Sequence, residues 1–144
     1  MRITAYKFKK HKIIAAVLAV IILTMTGCDK IKNLQSSVFD KILVDTASQI
    51  NNTLPMMIDS ETRFDSTAAY PGKEFAYFFT IINYTVEEVD MDIFEGIRAN
   101  LINNAKTNSD MEIFRENKVN LKYVYRDKDM KEIIQIKISA DEYI

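Results

Sequence analysis

Apolar and polar positions follow two different periods along this chain, and each change of period marks an element. Phe39, Leu43, Ala47 and Ile50 recur at helical spacing, with Ile42 adding to the same face, which predicts an amphipathic helix. Ser37 and Asp40 stand at the S-x-x-D spacing that satisfies free N–H groups at a helix start. Leu54-Pro55 closes the helix, because the residue before proline disfavours helical backbone. From Met56 to Asp65 the period becomes two. Met56, Ile58, Ser60, Thr62 and Phe64 share one face, and Met57, Asp59, Glu61, Arg63 and Asp65 the other, the pattern of a half-buried strand. Ser66 to Lys73 reads as a loop, with Pro71-Gly72 supplying turn chemistry. Glu74 to Tyr84 is apolar on both faces, so it is either a central strand or one that keeps a face for a partner.

The second half repeats the order without a residue-level repeat. Asp90 is expected to cap a second helix whose stripe is Phe94, Ile97, Leu101 and Ala105, with Ile93 beside it. Gly96 inside that helix costs about 1 kcal/mol relative to Ala and leaves room for a close contact. Ser109 and Glu112 form another capping box, opening a short turn with Met111 and Phe114 inward. Lys118 to Asp127 alternates again, with Val119, Leu121, Tyr123 and Tyr125 on one face. Asp127 to Lys131 is a tight polar turn, and Glu132 to Ala140 completes a hairpin with Ile134, Ile136, Ile138 and Ala140 inward. The predicted class is α+β in the order α-β-β-α-β-β: a two-layer, four-stranded antiparallel sheet with two helices on one face, preceded by a signal helix. Residues 37–144 form one domain, and 28–36 a polar tether.

The length of 144 residues, 48% hydrophobic and 27% charged, suits a single globular domain. The near-zero net charge of −1 conceals an asymmetry. Residues 1–27 hold five basic groups and no acid, so the remainder has 14 basic against 20 acidic groups. That acidic balance excludes nucleic acid as a partner, because phosphate binding needs clustered Lys and Arg. It also argues against adhesion to anionic lipid by charge alone.

The basic start, Met1 to Lys12, is followed by the unbroken apolar run Ile13 to Leu23 and by Thr24-Met25-Thr26-Gly27-Cys28. A basic region, an apolar region and small residues before a cut site make a secretion signal. Met25-Thr26-Gly27-Cys28 resembles the lipobox of bacterial lipoproteins, with Met25 where Leu is usual. The resemblance implies that the Cys28 thiol receives a diacylglyceryl group, that residues 1–27 are removed and that palmitate-type chains hold the mature protein to a membrane. Two or more acyl chains give stable anchoring. Asp29 resembles a sorting residue for inner-membrane retention. The plainer alternatives are an ordinary signal peptide, or an uncleaved single span with an incidental cysteine.

Little catalytic chemistry remains. His11 lies in the signal, Cys28 is the only thiol, and the three glycines stand at 27, 72 and 96. These counts exclude His-based triads and zinc sites, a disulfide within the chain and Gly-rich phosphate loops. Asp59, Glu61 and Asp65 could serve a carboxylate-dependent hydrolase, although a solvated strand face with Arg63 among them is the simpler reading. Asp127-Lys128-Asp129 lacks the rest of a calcium loop, and the sequons at Asn51 and Asn83 have no role in a bacterial lipoprotein. Phe75, Tyr77, Phe79, Tyr123 and Tyr125 are either core or the lining of a groove for a peptide or lipid tail.

The stretch Leu54 to Asp65, followed by Pro71-Gly72-Lys73 and the aromatic strand, resembles a family of small uncharacterised bacterial exported proteins over residues 54–140. The resemblance implies no activity or site. Family members often carry a Cys after the second helix and another near the C-terminus; here Lys106 and Asp141-Glu142-Tyr143 stand in those stretches, so that disulfide is absent. The expected function is an accessory or binding module, not an enzyme, anchored at Cys28 and facing the periplasm or the cell exterior. Its expected partner is an envelope protein, a peptide or a lipid. No cofactor, metal or catalytic residue is assigned.

Overall fold

The helical period of the first apolar stripe matches residues 38–51, the described part of helix α1, in a computed structural model that describes residues 38–144. The chain then runs through β1 (Met56–Met57), β2 (Thr62–Tyr70), β3 (Glu74–Ile81), α2 (Ile93–Thr107), α3 (Glu112–Glu116), β4 (Asn120–Arg126) and β5 (Glu132–Ile138). Single 3-10 turns stand at Val86–Glu88, Ser109–Met111 and Ala140–Glu142. The fold is α+β, with three helices and one five-stranded sheet of order β1-β2-β3-β4-β5 among the described residues.

Two expectations about the sheet are corrected. It has five strands, not four, and it is mixed, because β3 and β4 run parallel while the other neighbours are antiparallel. Parallel strands need a long crossover, and the segment carrying α2 and α3 between Ile81 and Asn120 is that crossover. The fifth strand comes from splitting the run Met56 to Asp65. The Asp59 carboxylate accepts from the N–H groups of Glu61 and Thr62 at 2.8 and 2.7 Å, turning the chain so that Met56 and Met57 pair back onto Phe64 and Arg63.

Ser66 to Tyr70 is strand rather than loop. The register shifts between Phe64 and Ser66, so Asp65 is an extra residue, a β-bulge that reverses which parity faces inward. Phe64 packs on the core before the bulge, Thr67 and Ala69 lie beyond it opposite Tyr77 and Phe75. The inner positions Thr67 and Ala69 are small, and α1 lies close over them: the Thr67 hydroxyl donates to the Ala47 carbonyl at 3.2 Å.

Both long helices bury their predicted stripes in one core with the inner faces of β3, β4 and β5. Phe39, Leu43 and Ala47 from α1 join Phe94 and Ala105 from α2. Ile42 does not join them; it is exposed. Asp40 faces the β2–β3 turn, accepting from Lys73 N–H at 3.1 Å. Ser37 lies outside the described residues. No neighbour approaches the Cβ direction of Gly96, so no close contact needs that glycine. Gly72 does need its freedom, at φ +86° in the hairpin turn. The short turn after α2 is capped by Asn108, whose side chain accepts from Asp110 N–H, not by Ser109. The last strand ends at Ile138 because Ser139 and Glu142 close a capping box around Ala140.

Past Phe64 the outer edge of β2 has no strand beside it among the described residues. Asn51 takes that place. Its amide nitrogen donates to the Thr67 carbonyl at 2.9 Å and its amide oxygen accepts the Thr67 N–H at 2.7 Å, so one side chain satisfies both main-chain groups of a strand edge. Asn51→Ala strands both groups. It is expected to lower unfolding stability by about 1–3 kcal/mol, seen in urea titration as a lower midpoint with an unchanged slope.

Candidate functional site

The crossover leaves β3 at Ile81 and starts α2 at Ile93, and the connecting segment is folded against the β4–β5 turn. Asp127 is the clasp. Its buried carboxylate accepts from Lys131 N–H at 2.8 Å, Asp129 N–H at 2.9 Å and Val86 N–H at 3.1 Å. Burial alone would raise its pKa, but those N–H groups hold it below the ordinary carboxylate value. Lys128 N–H donates to the Tyr84 carbonyl at 3.1 Å. Thr85 and Glu88 close a capping box, with Thr85 N–H 2.8 Å from Glu88 Oε2. The 3-10 turn Val86–Glu88 is thereby fixed at one rim of a groove.

That groove has a volume of about 350 Å³. Its floor is Tyr125 and Phe94, whose rings meet edge to face at 5.3 Å. Ile81, Val89, Ile93 and Ile97 form apolar walls, and Ile93 is half exposed. The polar rim is Glu61, Glu88 and Asp90, with no Lys or Arg in the lining among the described residues. Tyr84 closes one side, its hydroxyl donating to Glu61 Oε1 at 3.1 Å. That hydrogen bond, and the Glu61 charge with it, raises the Tyr84 pKa. The groove lies at the ends of β3 and β4 where both parallel strands finish, a common place for ligands in sheets with parallel strands.

The three carboxylates singled out in the sequence are not brought together. Asp59 is occupied by two backbone N–H groups that lower its pKa. Glu61 reaches the groove rim. Asp65 turns to the other face of the sheet, where it pairs with Arg63 and accepts from the Thr80 hydroxyl at 2.5 Å. The aromatic set resolves as core: Phe75, Tyr77, Phe79, Tyr123 and Tyr125 all join the central cluster. Only Tyr125 also reaches the groove. Asp90 accepts from Asp92 N–H at 3.0 Å, three positions before the helix it was expected to cap, where Asp92 is the N-cap residue. Among the described residues no group of three or more His, Cys, Asp or Glu could hold a metal ion, and no helix is long and apolar enough to cross a membrane. Cys28 and Asp29 lie outside the described residues.

Residues 37–135 match a family model described as a domain of unknown function, DUF8479. The chain belongs to this family. The match runs from α1 into β5, so every groove residue lies inside the DUF8479 domain. No curated protein sequence matches the chain. Solved structures share its fold. A Pseudomonas aeruginosa protein described as secreted superposes with a TM-score of 0.67 at 13% identity, covering 77% of this chain and 97% of its own. EpsS, a pilotin of the Vibrio vulnificus type 2 secretion system, superposes at 0.63 with 6% identity over 78% of this chain and 97% of its own. The type II secretion pilotin AspS from Vibrio cholerae superposes at 0.58 with 8% identity, over 77% and 97%. These likenesses establish a common fold.

The groove of the DUF8479 domain was not read from the sequence, because Glu61, Tyr84 and Ile93 are brought together only by the fold. One signal was present: Ile93 widens the apolar arc of α2 beyond what its core face uses.

Two predictions follow from the titrating groups. Asp127→Ala is expected to speed amide hydrogen exchange at Val86, Asp129 and Lys131, while Asp129→Ala leaves Val86 protected. At high pH, burial raises the phenol of Tyr125, with help from the Asp59 charge, from 10.0 to about 12. Burial raises that of Tyr143 from 10.0 to about 12 as well, against the pull of Arg115. A phenol with a raised folded pKa stabilises the native state fully below 10.0 and loses that contribution as the pH climbs through about 12. Tyrosinate absorbance should therefore rise together with loss of helical signal in that window. Ionisation of all seven tyrosines near pH 10 with the fold intact would contradict it.

Proposed function

We propose that this chain is a lipid-anchored accessory protein of the bacterial cell envelope. Cys28 carries the anchor, residues 28–36 are the tether, and the domain faces the periplasm or the cell exterior, where it binds a partner protein near the membrane. Asp29 acts in sorting between membranes. The observation that carries the reading is the fold it shares with two type II secretion pilotins over more than three quarters of its length. The Met25–Cys28 resemblance to a lipobox supports the anchor, and the open, acid-rimmed groove supports a binding role. Tethering supplies the physical advantage: a membrane-held module meets membrane-held partners at raised effective concentration.

Metabolic labelling with palmitate tests the anchor. The wild-type chain should incorporate label, lose residues 1–27 and sediment with membranes. Cys28→Ser should abolish labelling and leave the signal uncleaved. An unlabelled wild-type chain that retains Met1 by mass spectrometry would defeat the reading.

A further inference from the structure

The groove beside α2 combines apolar walls with a rim whose charged groups, among the described residues, are all acids. Among the described residues, Glu61 and Asp90 make no ion pair, while Glu88 has Lys128 at 3.7 Å. A second groove, on the other side of α2 against β5, is lined by Glu95, Arg98 and Lys137 and so presents both signs. Of these two grooves, the first has a single-signed rim around an apolar floor.

We propose that this groove seats a segment of the partner protein that carries a large apolar side chain flanked by Lys or Arg. The inference rests on the accessory-module reading above and names the chemistry of its partner. The volume of about 350 Å³ falls at the small end of the ~300–1,000 Å³ range of ligand pockets, so it takes a side chain or two and not a folded surface. Ile93, Ile97 and Val89 bury the apolar tip, and Glu61 and Asp90 meet the flanking cations.

A bilayer is the wrong occupant on two counts. Anionic headgroups are repelled by the rim. The position is also unsuitable. The described chain enters beside the β2–β3 turn, where Asp40 holds Lys73 N–H at 3.1 Å, and the groove stands at the opposite end of β3. That strand spans eight residues, or roughly 26 Å at ~3.3 Å per residue. The start of the described chain and the groove thus lie at opposite ends of β3.

The test uses the full-length chain purified in detergent, with fluorescence polarisation of a capped, labelled Lys-Leu-Phe-Lys peptide. Its twins are Glu-Leu-Phe-Glu and Lys-Ser-Ser-Lys, and empty micelles give the background. The first peptide should bind, and both twins should bind at least about tenfold more weakly. Glu61→Gln with Asp90→Asn should weaken binding about fivefold to tenfold, two exposed ion pairs being lost, and added salt should do the same. Ile93→Ser should weaken it and Ile93→Leu restore it, with thermal melting showing each variant folded.

Equal binding of the acidic twin, or indifference to the groove substitutions, overturns the proposal. So does tighter peptide binding after Lys30→Glu with Lys32→Glu, since the chain's own tether would then be the occupant. So does self-association that the same substitutions abolish, which would assign the groove to a second copy. Palmitate labelling that persists while the peptide fails removes this inference alone. Loss of labelling with peptide binding intact removes the membrane reading and leaves the groove.

Discussion

Parallel pairing of β3 with β4 sets Phe75 beside Leu121, Tyr77 beside Tyr123 and Phe79 beside Tyr125. The rings of Tyr77 and Tyr123 stack at 4.9 Å, and those of Phe79 and Tyr125 at 5.0 Å. Phe114 from α3 and Phe94 from α2 close on this ladder from the helical side. Such ring pairs contribute about 0.5–1.5 kcal/mol each beyond their buried area. Burial also lifts the Tyr77 and Tyr123 phenols well above their ordinary values, so the stack stays neutral across physiological pH. With no cysteine after position 28, the folded part has no disulfide to hold it. This central aromatic seam takes that role, and Tyr143 extends it by burying its ring at the C-terminal end and donating to the Val119 carbonyl.

The same pairing creates the groove. Two neighbouring strands that run parallel finish at the same end of the sheet, and the chain must leave that end to make its crossover. The departing segment cannot pair with a strand, so it folds as a 3-10 turn whose polar groups are satisfied from outside: Val86 N–H by Asp127, Thr85 N–H by Glu88. The Asp127 bond holds the rim of the groove to the β4–β5 turn. At the far end of the crossover, Arg115 donates to the carbonyls of Ala105 and Asn108 at 2.6 and 2.8 Å. Those bonds satisfy the C-terminus of α2 and fix the helix that forms the other wall.

The helices and the last hairpin were legible in the sequence because their signal is local. Phe39, Leu43 and Ala47 are one turn apart, and Ile134, Ile136 and Ile138 alternate without interruption. The second strand was only half legible. The bulge at Asp65 breaks the alternation, and the residues after it are small because a helix lies over them, so Ser66 to Ala69 carries neither the period nor the bulk of a strand. Parallel pairing was illegible for a different reason: a period of two marks a strand but carries no direction. Asn51 looked like part of a sequon and is instead a substitute for a missing strand, a role set entirely by Thr67 lying sixteen positions away.

α1 is held at both of its described ends. Near its start, Asp40 accepts from the β2–β3 turn, and the Lys73 ammonium lies 5.5 Å from the centre of the Phe39 ring. At its end, Asn51 completes the edge of β2. The first element of a domain frays unless it is tied down, and a soluble protein tolerates such fraying at little cost. On the proposed reading this element bears the lipid tether, and fraying would let the domain turn about its attachment. Pinning α1 to the turn at one end of the sheet and to its edge in the middle fixes the start of the described chain against the sheet. The groove stands at the other end of β3 from that pinned start.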